Sequence, residues 1–174
     1  MTLDPKSAAQ IAQAYIGTNA PLTLLGWGVG GFVYLSPDGQ SAVKVHRHRQ
    51  GFSTELRAYQ RLRLLRINQL HGLTIPKLKD HSVDLRIIRM DCVIAPFLLD
   101  FAGVLFSPPD YSEDTMNDWH ARLDEMFGPN VHIAYAVYNS LARHAMYYMD
   151  FRPSNMKLDG LPGLQPMDSE PDDF

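Results

Sequence analysis

The chain has 174 residues, enough for one domain or two small lobes around a sizeable core. With 45% hydrophobic and 20% charged residues it has ordinary globular composition, and its net charge of −3 excludes a broad basic footprint for nucleic acid. The single cysteine, Cys92, excludes an internal disulfide, and no apolar run reaches the length of a membrane span.

Cys92 lies in the apolar run Cys92-Val93-Ile94-Ala95, the setting of a buried structural thiol. The N-terminus, Met1 to Lys6, lacks a charged segment followed by an apolar core, so it does not read as a cleavable export signal. The expectation is a soluble protein of a reducing, cytoplasmic compartment. Export into a host cell without a cleaved signal would leave no mark in the sequence.

In chain order, residues 5–16 read as a short amphipathic helix, with Pro5 in its first turn and Gly17 at its end. Residues 22–25 and 32–35 read as strands flanking a glycine-rich loop. Ser36-Pro37-Asp38-Gly39 has turn chemistry, and residues 42–45 form a third strand of an antiparallel meander. Residues 53–66 carry Leu56, Tyr59, Leu62 and Leu65 at helical spacing, with Ser53 or Thr54 as the cap. Residues 85–90 and 92–95 read as two more strands, and Pro96 stops the second. Residues 96–102 are a connector. Beyond it, residues 112–127 form a polar helix anchored by Trp119, Leu123 and Phe127, which Gly128-Pro129 breaks. Residues 131–147 form an apolar helix, residues 156–158 and 164–167 are short strand candidates, and the tail is acidic. The order is β-rich, connector, α-rich. It predicts an α+β fold of two lobes: an N-terminal extension (1–21), a five-stranded lobe (22–98) and a reduced helical lobe (99–174).

Five pieces of chemistry lie along this order. Gly26-Trp27-Gly28-Val29-Gly30-Gly31-Phe32-Val33 reads G-x-G-x-x-G-x-V. Glycines let a phosphate chain approach backbone N–H groups, and Val33 can cover a base. A dinucleotide site would open a helix after this loop, whereas a strand follows here. Lys44 sits mid-strand. It reads either as a residue on a solvated face or as a phosphate contact held by a carboxylate. Glu55, the only acid between Lys44 and Lys77, can be that carboxylate, and it is placed in the first turn of its helix. Asp150-Phe151-Arg152-Pro153-Ser154-Asn155 reads D-x-x-x-x-N. Asp150 would orient or deprotonate an attacking hydroxyl, Arg152 would steady the γ-phosphate or Asp150, and Asn155 would ligate a metal through its carbonyl oxygen. Asp168 would be the main Mg²⁺ ligand, with Glu170, Asp172 and Asp173 as neighbours. The basic run His46-Arg47-His48-Arg49 reads as a solvated loop or as a surface for an acidic partner or substrate phosphates. No histidine pair has metal-ligand spacing.

With these motifs the chain resembles the protein-kinase-like superfamily, from about Leu22 to Asp168. The resemblance implies glycine-loop residues Gly26, Gly28, Gly31 and Val33, strand lysine Lys44, helix glutamate Glu55, catalytic Asp150 and metal residues Asn155 and Asp168, with ATP and Mg²⁺ as cofactors. The departures are Tyr148-Met149-Asp150 where many protein kinases have H-R-D, and Ser169-Glu170 after Asp168 where they have Phe-Gly. No activation segment and no A-P-E follow. In this the chain resembles the minimal kinases that some bacteria deliver into host cells, and also small-molecule phosphotransferases. The first reading is a serine/threonine-type kinase acting on a protein hydroxyl. The alternatives are a pseudokinase that binds ATP or docks a partner, and a small-molecule kinase. ATP and a protein are the expected partners, with no nucleic acid and no membrane span. The oligomeric state is left open.

Overall fold

The computed structural model describes residues 3–166. Helix α1 (Pro5–Ile16) starts at Asp4, whose carboxylate accepts the Ser7 N–H at 2.9 Å, and ends at Gly17 in the left-handed region (φ 70°). Strands β1 (Thr23–Trp27), β2 (Gly31–Leu35) and β3 (Ser41–His46) form the expected meander. Helix α2 (Arg49–Leu64) follows. It begins four residues before Ser53, because His48 is extended and Phe52 must already be helical to bury its ring. Neither Ser53 nor Thr54 caps it, and Glu55 lies in the second turn.

Short strands β4 (Gln69–Leu70) and β5 (Leu73–Thr74) lead to β6 (Leu78–Ser82) and β7 (Ile87–Asp91). The main sheet is antiparallel and five-stranded, in the order β1-β2-β3-β7-β6. Its fifth strand is not the expected run 92–95. The edge strand β6 takes that place. Only Leu78 of β6 is buried, and Lys79, Asp80 and His81 are exposed in succession, so this edge strand carries no apolar pattern in the sequence. Cys92, half-buried just past β7, continues the β3–β7 register by one residue, with its N–H donating to the Gln40 carbonyl at 3.1 Å.

The chain then forms β8 (Phe97–Leu98) and a 3-10 turn (Phe101–Gly103). Helix α3 (Glu113–Phe127) is capped by Ser112, and α4 (Val131–Ala142) follows. Helix α4 stops five residues short of expectation, because a turn at Arg143–Ala145 redirects the chain and Ala145 takes φ 50°. Strand β9 (Met156–Lys157) pairs antiparallel with β8, which also pairs in parallel with β5. Residues 164–166 are not a strand. Met167, Asp168 and the acidic tail lie outside the described residues.

Two apolar clusters hold the molecule. Ala8 and Ala12 of α1 pack on Phe32, Tyr34, Val43, Val45 and Ile87, on one face of the sheet. The larger cluster runs without a break from α2 (Phe52, Tyr59, Leu62) through Phe101 to Trp119, Leu123, Val137 and Leu141 of α3 and α4. This continuous core fixes the sheet relative to the helical base, and the cleft between them is therefore a built feature. No helix among the described residues is long and apolar enough to cross a membrane.

Candidate active site

The glycine loop joins β1 to β2. Gly28 and Gly31 exchange backbone hydrogen bonds at 3.0 and 3.3 Å, which closes the turn. Gly31 is required by space, since at φ 149° a Cβ there would lie 2.1 Å from the Val45 carbonyl oxygen. Gly26, Gly28 and Gly30 face open space instead, with nothing within 4 Å of an added Cβ. The space above the loop is thus left free. Arg47 braces the loop from behind: its backbone N–H donates to Gly30, its Nε to Gly28 and its Nη1 to Leu3, while its guanidinium lies 4.4 Å over the Phe32 ring. In the sequence Arg47 reads as part of a solvated basic run. Its contacts are all to distant residues, so no local signal marks them.

Below the loop lies a cleft of about 610 Å³, a size that suits a nucleotide-scale ligand. Leu25, Val33, Ala42, Met90 and Leu99 give it an apolar end. Lys44, Glu55, Asp100, Asp150, Arg152 and Asn155 give it a polar one. The structure brings together every sequence-predicted site residue within its described span: Gly26, Gly28, Gly31, Val33, Lys44, Glu55, Asp150, Arg152 and Asn155 all line the same cleft. Asp168 lies outside that span.

Lys44 and Glu55 are both buried, with Nζ 2.7 Å from Oε2. Strand β3 projects the lysine into the cleft, and α2 brings the glutamate over it. Burial alone pushes the Glu55 carboxyl up. The Lys44 ammonium and the His46 ring outweigh burial and hold it at about 2. Burial likewise works against the Lys44 ammonium, but the charges of Glu55 and Asp100 raise its pKa above the ordinary value. Both groups are therefore ionised at neutral pH.

Two residues of this cluster escape the motif pattern. His46, two positions after Lys44 on β3 and fully buried, places Nε2 2.7 Å from Glu55 Oε2 and Nδ1 3.1 Å from the Arg86 carbonyl. Its ring meets Phe52 edge-on. One oxygen of Glu55 is thus held by an ammonium and an imidazole together. Asp100 in the connector places Oδ1 2.9 Å from Lys44 Nζ. The only sequence signal for His46 is its position on the strand of Lys44. Asp100 carries none, being one acid in a connector.

The Asp150–Asn155 loop forms the floor. Arg152 holds Asp150 Oδ1 through Nε at 2.7 Å and Nη2 at 2.6 Å. The Asn155 amide nitrogen donates to Asp150 Oδ2 at 3.1 Å and to the Asp150 carbonyl at 3.0 Å. With that nitrogen committed, Asn155 Oδ1 accepts from Ser154 Oγ at 3.4 Å. The loop is tied down from two sides: Trp119 Nε1 of α3 donates to the Met149 carbonyl at 2.9 Å, and Leu99 N–H donates to the Asn155 carbonyl at 2.7 Å. Tyr148 donates to the Leu99 carbonyl at 2.7 Å. Burial, then the charges of Asp100, Asp150 and Glu55, push the Tyr148 hydroxyl well above its ordinary value and keep it neutral.

No family model matches the chain, and no curated protein is similar to it. Among solved structures it is similar to a ternary complex of streptomycin, ATP and APH(2″)-IIa, at 16% identity with a TM-score of 0.40, over 73% of this chain. The chain spans 38% of that structure's length.

Proposed function

We propose that the protein is an ATP-dependent phosphotransferase of kinase-like fold that acts on a hydroxyl group, with a protein as the acceptor. One observation carries this: the buried Lys44–Glu55 ion pair opens into the same cleft as the glycine loop and the Asp150–Asn155 loop. A buried pair costs much to desolvate and is weak evidence of stabilisation alone. Its position between a loop that leaves backbone open and a carboxylate at the far end gives it a use, which is to hold an ammonium for phosphate oxygens.

In this reading the base lies among Leu25, Val33, Ala42 and Met90. The phosphates run under Gly26–Gly31, and Lys44 contacts them while Glu55 fixes its direction. Asp150 orients the acceptor hydroxyl and receives its proton, and Arg152 and Asn155 set the carboxylate's angle. Mg²⁺ fits the donor set, because Asp150, Asp100 and Asn155 Oδ1 offer hard oxygens. Among the described residues no three His, Cys, Asp or Glu side chains converge into a cage. That also suits Mg²⁺, which takes one or two carboxylates together with phosphate oxygens and water. When bound, the ion would neutralise charge on the phosphates. The acceptor end is open: Arg152 and Ser154 are exposed. Among the described residues this end offers little enclosure, which suits a large acceptor that brings its own surface.

The test is labelled ATP with Mg²⁺ and a lysate, using the wild-type chain and Asp150→Ala. Label on protein that depends on Asp150 supports the assignment. ATP binding without transfer in wild type would refute catalysis and leave the pseudokinase reading. Transfer confined to small molecules would refute the protein acceptor.

A further inference from the structure

Asp100 is an acid of the cleft that the sequence motifs do not place. It sits in the left-handed region, at φ 57° and ψ 76°, and its Oδ1 accepts the Ala102 N–H at 3.3 Å as well as the Lys44 ammonium. A non-glycine residue held there is constrained by its surroundings. Those surroundings are specific. Strand β8, just before Asp100, pairs with β9, just after Asn155, so the sheet sets Asp100 beside the Asp150–Asn155 loop despite its earlier place in the chain. The next residue, Phe101, is fully buried. It meets Tyr59 of α2 edge-on at 5.3 Å and Tyr148 at 5.4 Å. Gly103 backs on Asp150, and a Cβ there would lie 3.7 Å from the Asp150 Cβ. Asp100-Phe101-Ala102-Gly103 therefore puts a carboxylate on the strand lysine, an aromatic ring under the glutamate's helix and a glycine against Asp150. In ATP phosphotransferases an Asp-Phe-Gly run does this work, but there it follows the Asp/Asn loop.

We propose that Asp100, preceding the Asp150–Asn155 loop, is a carboxylate that ligates the divalent cation on the nucleotide phosphates. This rests on the ATP reading of the cleft. Two acids on one ammonium are one more than Lys44 needs, since Glu55 already holds it at 2.7 Å. The second is free to turn its charge to a cation when phosphates take its place on Lys44. The Asp100 side chain is 38% exposed, open to the cleft and to an incoming metal.

Nucleotide binding is measured with a non-hydrolysable ATP analogue, in EDTA and in Mn²⁺, with bound Mn²⁺ followed by EPR. The full chain is compared with Asp100→Asn. Asp100→Asn is expected to lose about tenfold or more in Mn²⁺ affinity within the nucleotide complex. Fe²⁺-directed backbone cleavage of the unaltered protein with nucleotide, mapped by mass spectrometry, is expected beside Asp100 and Asn155. Normal Mn²⁺ affinity in Asp100→Asn, or cleavage confined to the neighbourhood of Asp168, would overturn the assignment. So would Asp100→Asn that only tightens binding in EDTA, because Asp100 would then be a mere counter-ion. Wild-type protein that binds no nucleotide in either condition overturns the ATP reading and this one with it.

Discussion

Glu55→Gln keeps the side chain's size and removes its charge. The Glu55 carboxyl falls from an ordinary 4.5 to about 2 in the fold. At about 1.4 kcal/mol per tenfold change in proton affinity, ionised Glu55 contributes on the order of 3 kcal/mol. Removing one member of a buried ion pair costs about 3–5 kcal/mol in general. Asp100 stays on Lys44 at 2.9 Å, which keeps the expected loss at the low end. For a chain of this length, about 3 kcal/mol lowers Tm by roughly 6–12 °C. The sign with pH follows from the direction of the shift. The folded pKa is depressed, so the stabilisation is complete above the unfolded value near 4.5 and fades as pH falls toward 2. Urea unfolding at pH 7 and pH 3 reads both effects: a gap of about 3 kcal/mol between wild type and Glu55→Gln at pH 7 should shrink to about half or less at pH 3. Equal midpoints at pH 7, or an undiminished gap at pH 3, would refute the electrostatic account of this pair.

Three further substitutions separate roles within the cleft. Gly31→Ala puts a methyl 2.1 Å from the Val45 oxygen at a φ of 149°, so it should destabilise the fold by about 1–3 kcal/mol or more in thermal melts. Gly28→Ala meets nothing within 4 Å and should leave Tm unchanged while weakening ATP binding in calorimetry. His46→Leu removes one donor from Glu55 and should cost about 1–3 kcal/mol and raise KM for ATP more than it lowers kcat, with His46→Gln restoring part of both.

Some of this was legible along the chain. The apolar runs of β2 and β3 on either side of the Pro37–Gly39 turn, the proline and glycine limits of α1 and the anchors of α3 marked those elements, because their cause is local. The motif residues Gly26, Gly28, Gly31, Lys44, Glu55, Asp150 and Asn155 could be picked out because their spacing reflects strand, helix and loop geometry. What spacing could not reach depends on which surfaces meet. Strand β6 was hidden because beyond Leu78 its consecutive residues are exposed on both faces, so it carries no apolar alternation. The start of α2 was set by the burial of Phe52 rather than by a cap.

The same division holds within the site. A sequence lists its acids without saying which of them share a solvent-free volume. Glu55 could be chosen because it was the only acid in its segment. Asp100 could not, because its place on Lys44 arises from the β8–β9 pairing between segments distant in the chain. Nor could Arg47 and His46 be told from a solvated basic run, since burial and long-range hydrogen bonds are created only when the chain closes on itself. Local rules set the parts of the cleft, while packing selected which charges face each other inside it.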